Sequence, residues 1–264
     1  MARVRFGTLF SGSSANCTFI EVDGACILID AGAGVKKTAA ALHKLDSDYH
    51  KIKGIFITHE HSDHIGGLKT ILRYNKIPVI ANGKTLRVMR NGLHEYEDCF
   101  CEMATGASAS CAGFCVTSFL SSHDSAECVG YMIDTGTKKL GVLTDCGRLN
   151  NTMIQMLSKC EAVVLESNHD LEMLMTGVYP YMLKRRVAGE GGHLSNKQCA
   201  DGLCELVGSG VKQVFLAHLS KENNTPAVAV KTISETLLLA GIKPAEDIMI
   251  HVAPRDEISH ILEF

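Results

Sequence analysis

The most constraining feature of the chain is the stretch Thr58-His59-Glu60-His61-Ser62-Asp63-His64. It places four metal-donor side chains, His59, His61, Asp63 and His64, within six residues. The apolar run Ile55-Phe56-Ile57 before it reads as a buried strand, and residues 65–72 after it as the start of a helix. The donors therefore fall on a strand-to-helix connection, where α/β folds place their chemistry. Residues two apart on an extended segment point the same way, so His59 and His61 can grip one ion. Asp63 and His64, at the head of the helix, can face a second. Glu60, between the two histidines, is expected to point away. A helical His-Glu-x-x-His site needs ligands four apart on one helix, which is a different arrangement. Two cations about 3.5–4 Å apart suit in-line displacement at phosphorus or attack on an acyl carbon. A lone histidine is usually a surface or core residue, but that does not account for four donors at this spacing.

A chain of 264 residues has room for one large α/β domain or two small ones. No long linker or low-complexity run divides it, so one domain over residues 1–264 is expected. With 46% hydrophobic and 21% charged residues it is an ordinary globular composition. A net charge of −3 does not announce a nucleic-acid binder, so any basic surface must be local. Eleven cysteines, an odd number with no Cys-x-x-Cys pair, argue for a reducing cytoplasm rather than a disulfide framework. Cys99 with Cys101, or Cys111 with Cys115, could form an accessory metal site, but buried reduced thiols are commoner. No stretch approaches the ~20 apolar residues of a membrane span. The first six residues lack a signal-peptide core, and nothing implies an obligate protein partner.

In chain order, residues 4–10 read as a strand, followed by a small polar loop, Ser11-Gly12-Ser13-Ser14-Ala15-Asn16. Residues 17–22 and 25–30 form a hairpin across Asp23-Gly24, a strong turn signal. Asp30 closes that hairpin as a turn or cap residue, with a further possible role orienting a metal-binding histidine. Residues 35–45 have helical spacing. The strand 54–58 delivers the donor cluster, 68–74 continue as helix, 78–80 are a short strand and 84–91 a short helix. Residues 92–112 are the least readable segment. The second half then repeats one pattern, a strand ending in a donor. Residues 116–120 lead to His123, 140–144 to Asp145, 162–166 to Ser167-Asn168-His169-Asp170, and 211–217 to His218. Strand ends that carry donors in this way are expected to converge on one cleft.

These motifs together resemble the metallo-β-lactamase superfamily: His-x-His-x-Asp-His on a strand–helix loop, a later His after a strand, Asp145 in Leu-Thr-Asp-Cys-Gly, and a final His after a strand. Ser11-Gly12-Ser13-Ser14-Ala15-Asn16-Cys17, Leu165-Glu166-Ser167-Asn168-His169-Asp170, Gly192-His193-Leu194-Ser195-Asn196 and residues 216–224 are similar to the YycJ/WalJ group, described as 5′-to-3′ exonucleases of double-stranded DNA. The match runs from about residue 5 to about 250 and weakens at 92–112. The resemblance implies a four-layer αββα sandwich with two divalent ions at one rim. It implies that His59, His61 and His123 hold one ion, Asp63, His64 and His218 the other, and Asp145 both. An all-nitrogen-and-oxygen donor set suits Zn or Mn and does not choose between them. Asp124, next to His123, is a possible rival ligand.

The chemistry expected of such a site is phosphodiester hydrolysis by a hydroxide shared between the ions, because divalent metals lower the pKa of bound water from ~15.7 towards ~7. Asp63 is placed to accept or orient its proton. The resemblance also implies a general acid, His193, with Glu166 as the carboxylate that keeps it charged and oriented. Otherwise His193 would be a capping residue of the helix beginning at Ser195. Asn168 and His169 are either supports of the metal ligands or phosphate contacts. For a DNA substrate, Lys184, Arg185 and Arg186, next to Tyr179 and Tyr181, offer contacts to the phosphate backbone, although a basic run is most often a solvated helix end. Lys221 is a further candidate, and Ser13 and Asn16 in the polar loop could hold a terminal 5′-phosphate at a duplex end. Two other readings remain: a phosphodiesterase or esterase for a small molecule on the same metal core, and a metal-stabilised binding module without activity.

Overall fold

The computed structural model describes residues 2–264. Val4–Phe10 (β1), Cys17–Val22 (β2) and Ala25–Ile29 (β3) form an antiparallel meander. Its tight turn has positive φ at both Asp23 (48°) and Gly24 (87°), the twist that two-residue hairpins prefer. Helix Val35–Lys44 (α1) carries the chain to Ile52–Phe56 (β4), parallel to β3. Two helical pieces follow where one was expected, Ser62–Ile65 (α2) and Leu68–Tyr74 (α3). The break lies at Gly66-Gly67, where Gly67 N donates to Ala31 O instead of continuing the helix. Val79–Ala81 (β5), Gly83–Leu93 (α4) and Phe100–Glu102 (β6) complete the first half, with a 3₁₀ turn at His94–Cys99.

The second half opens with Ser108–Cys111 (β7), Phe114–Leu120 (β8), Val129–Asp134 (β9) and Lys139–Leu143 (β10), all antiparallel. Asn151–Leu157 (α5) leads to Ala162–Glu166 (β11). Leu171–Thr176 (α6), Tyr181–Val187 (α7) and Asn196–Gly208 (α8) lead to Gln213–Ala217 (β12). Pro226–Leu239 (α9), Met249–Val252 (β13) and Leu262–Glu263 (β14) follow. The described residues form two seven-stranded mixed sheets, ordered β14-β1-β2-β3-β4-β5-β6 and β13-β12-β11-β10-β9-β8-β7.

Three apolar layers hold four structural ones. The inner faces meet through Phe6, Ile20, Ile29 and Phe56 of one sheet and Val116, Tyr131, Val164 and Phe215 of the other, all buried. The outer face of the first sheet packs on α1, α3 and α4 through Leu42, Ile71, Leu72 and Leu86. The outer face of the second packs on α5, α8 and α9 through Leu157, Leu203, Ile233 and Leu237. This is the expected αββα sandwich. The strands β10, β11 and β12 are parallel, and β8 runs the same way because two antiparallel steps separate it from β10. Their C-terminal ends therefore open on one edge, as the repeated strand-then-donor pattern requires.

Candidate metal centre

The loop after β4 is built around Asp30, which follows β3 in a left-handed conformation (φ 64°). Asp30 Oδ1 accepts from Thr58 N (2.8 Å) and Oδ2 from Nδ1 of His64 (2.7 Å), so one buried carboxylate fixes both ends of the donor stretch. Asn16 holds the middle: its backbone N donates to Asp63 O (2.8 Å), and its side-chain amide donates to Asp63 Oδ2 (3.0 Å). Only glycine fits at position 32, because a Cβ there would lie 1.9 Å from Asp63 O. Glu60 points away, as expected, and accepts from Ala126 N (2.7 Å) on the loop that carries His123.

All seven donors meet. Nδ1 of His61 lies 3.3 Å from Nε2 of His123, and the His59 ring stands 4.5 Å from that of His61. Nε2 of His64 lies 3.0 Å from Asp145 Oδ2 and 3.3 Å from Asp63 Oδ2. Nε2 of His218 is 3.5 Å from Asp63 Oδ2. Ligand atoms of His59, His61 and His123 lie within 4.8 Å of one another, as do those of Asp63, His64 and His218, and those of Asp145 with His59 and His64. Asp145 thus joins both groups.

The donor atoms fit a metal. Nε2 of His59 and Nε2 of His218 are buried with no hydrogen-bond partner among the described residues. Orphaned buried polar atoms are costly unless an ion satisfies them. The opposite nitrogens are engaged: Nδ1 of His59 with Thr58 Oγ1 (3.0 Å), of His123 with Gly192 O (2.9 Å), and of His218 with Glu166 Oε1 (2.8 Å). Such outer partners fix the ring and leave one lone pair free for a cation.

Residues 26–219 match the family described as the β-lactamase superfamily domain. This chain belongs to the metallo-β-lactamase superfamily. It is 34% identical over 249 residues to the exodeoxyribonuclease YycJ of Bacillus anthracis, covering 94% of each chain. It is 31% identical over 264 residues to the exodeoxyribonuclease WalJ of Streptococcus pneumoniae serotype 2, covering 98% of this chain and 97% of the other. Among solved structures, the metallo-β-lactamase fold protein YhfI of Bacillus subtilis superposes over all of both chains with a TM-score of 0.73 at 13% identity.

In this metallo-β-lactamase site, His193 and Glu166 are brought together as the resemblance implied, with Nδ1 of His193 2.8 Å from Glu166 Oε1. Glu166 is fully buried, and its Oε2 accepts from Cys146 N (2.8 Å) and Leu194 N (3.1 Å). Burial raises the Glu166 pKa, but the charge and hydrogen bond of His193 outweigh it and hold the carboxyl at about 2. Burial also opposes charge on His193; the Glu166 carboxylate reverses this and lifts the imidazole above its ordinary value.

The surrounding positions divide. Asn16, expected at a terminal phosphate, and Asn168, expected either at a phosphate or as a support, are both buried; Asn168 Nδ2 donates to His218 O (2.9 Å). Their amides are spent on positioning the donors. Ser13 and Lys221 are exposed. Lys184 Nζ donates to Met175 O (2.7 Å), and Arg186 Nε donates to Asp124 Oδ2 (2.5 Å). Arg185 lies over the Tyr181 ring at 5.9 Å. Asp124 therefore faces Arg186 with one oxygen, while its other lies 3.5 Å from Nε2 of His123. His169 is buried, and its Nδ1 has no partner among the described residues. Sequence reading missed Ser11, whose Oγ accepts from His218 N (2.8 Å), and the second bond of Glu166, to His218. Neither leaves a local signal, because the partners are far apart in the chain.

Proposed function

We propose that this chain is a metal-dependent exodeoxyribonuclease that hydrolyses the phosphodiester bonds of double-stranded DNA from 5′ to 3′. The observation that carries the reading is the convergence of seven donors with orphaned ligand atoms, in a chain that matches two exodeoxyribonucleases over nearly its whole length. On this reading residues 1–264 act as one domain. The eleven free thiols support a cytoplasmic setting, and no helix among the described residues is long and apolar enough to cross a membrane.

His59, His61 and His123 would hold one divalent ion, Asp63, His64 and His218 a second, and Asp145 both, with Zn and Mn each suited to nitrogen and oxygen donors. Ions bound there supply Lewis acidity towards the phosphoryl oxygens and lower the pKa of water. Asp63, steadied by Asn16, orients the attacking water and accepts its proton. His193 donates a proton from Nε2 to the departing 3′ oxygen, because Glu166 holds Nδ1. Ser13, Lys221 and Arg185 lie exposed for contacts to phosphates, including a 5′-terminal one.

The test is a duplex labelled at a 5′-phosphate, incubated with the full chain and Zn(II) or Mn(II), with binding followed across a salt series. Labelled mononucleotide released from the 5′ end, and affinity that falls steeply with salt, are expected. Hydrolysis of a small phosphodiester alone, with no salt-dependent DNA binding, would overturn the reading in favour of a small-molecule phosphodiesterase.

A further inference from the structure

Five of the eleven large apolar side chains exposed among the described residues fall in one short segment, 171–182. Leu171 and Met175 lie on α6, Val178 (86% exposed) in the connection, and Tyr181 (71%) and Met182 (72%) on the first turn of α7. Such a concentration of exposed apolar side chains in one short segment points to a contact.

Its place in the molecule gives it meaning. The last turn of α7 is fastened to the metal centre: His193 N donates to Val187 O (2.9 Å), and Arg186 binds Asp124 beside His123. Gly192, whose carbonyl receives Nδ1 of His123, is pressed so closely on this turn that a Cβ would lie 2.2 Å from Arg186 O. Lys184, reaching Met175 O, ties α6 and α7 together, so the apolar surface sits on a braced support. Tyr181 and Val187 stand six helical steps apart, about 9 Å. The same helix carries Lys184, Arg185 and Arg186, and Arg185 lies over the Tyr181 ring. Exposed apolar and aromatic side chains beside the cation Arg185, on a helix fastened to a hydrolytic centre, complement one ligand in particular. That ligand is the end of a nucleic-acid duplex, with an apolar base-pair face inside a ring of phosphates.

We propose that Val178, Tyr181 and Met182 form a platform on which the terminal base pair of a DNA duplex stacks, with Arg185 on the adjoining phosphate. The inference rests on the nuclease reading above and names how its substrate is held. A strand must leave its stack for the linkage near its end to reach the metal centre. The platform replaces the stacking that is lost, so its benefit is greatest for a fully paired end and small for one already frayed.

The test compares the full chain with its Tyr181→Ser/Met182→Ser variant, both supplied with Mn(II), on a flush duplex and on one whose three terminal pairs are mismatched. The exposure of both side chains means the variant should fold, which thermal melting checks. The variant is expected to be about ten-fold slower on the flush end and within about two-fold of the parent on the mismatched one. Equal losses on both ends, or no loss on either, would overturn the platform while leaving the nuclease reading intact. A parent inert on both substrates would overturn the nuclease reading and the platform with it. A parent that sediments as a dimer and a variant that sediments as a monomer would assign the surface to a second copy of the chain, and so overturn it too.

Discussion

Nδ1 of His193 and Nδ1 of His218 lie 2.8 Å from the same oxygen, Oε1 of Glu166. One histidine is the proposed proton donor and the other a proposed metal ligand, so a single buried carboxylate serves both tasks. In Glu166→Gln, the neutral amide no longer stabilises charge on either ring. Metal affinity is expected to fall about 10- to 100-fold, and turnover with it. Titration of the metal-free protein with Zn(II), run beside a turnover assay, reads both. Unchanged affinity would show that Glu166 serves His193 alone.

His193→Ala separates proton donation from metal holding. Both ions are expected to stay: His193 shares a possible donor group with Asp145, Glu166 and His218, but it is in neither set assigned to an ion and Glu166 engages its Nδ1. Turnover on DNA is expected to fall about 10²- to 10⁴-fold. A nitrophenyl phosphodiester, whose leaving group needs no proton, should lose far less. Equal losses on the two substrates would remove His193 from the role of acid.

Asp145→Ala takes away the one carboxylate that reaches both donor groups. Metal-dependent hydrolysis is expected to vanish while the circular dichroism of the fold survives, since the two sheets pack without this side chain. Full activity would refute the bridging role.

His169 gives a pH dependence of stability that involves no metal ligand. It is 1% exposed, and burial lowers its pKa from 6.5 to about 4. The unfolded chain takes up this proton near pH 6.5, whereas the folded chain does so only near pH 4. Stability is therefore lost as pH falls through that window, by at most about 3 kcal/mol from this group. His169→Leu should flatten the dependence of the melting temperature between pH 7 and pH 4. An unchanged slope would place the proton elsewhere.

What could be read from the chain follows from how local each feature is. His59, His61, Asp63 and His64 share one short strand-to-helix connection, so their spacing made them legible. His123, Asp145 and His218 were legible because each closes an apolar strand, and strands of one direction end at one edge. Asn16 and Ser11 were not legible as supports: Ser11 reaches His218 across 207 positions, and neither residue type signals such a bond. Lys184 and Arg186 looked free because composition cannot show that Met175 O and Asp124 engage them. Residues 92–112 stayed unread because β6 and β7 are short edge strands, three and four residues long, that bury little apolar surface. The helix expected from Ile65 is cut at Gly66-Gly67 by contacts with Ala31 and Ala33, which periodicity does not record.

Asp30, Asp145 and His218 each leave their strand with φ between 55° and 64°, a region that glycine occupies freely and other residues enter at a cost. The backbone is thus bent against its own preference at the three places where side chains are handed to the centre. Glycine there would relax the chain and disarm it at once. Selection for heat resistance of the metal-free chain, with no assay for turnover, should therefore favour glycine at 145 and 218 but not at 30, where losing the carboxylate would strand Thr58 N and the His64 ring. A hardier descendant of this protein would forget its chemistry before its shape.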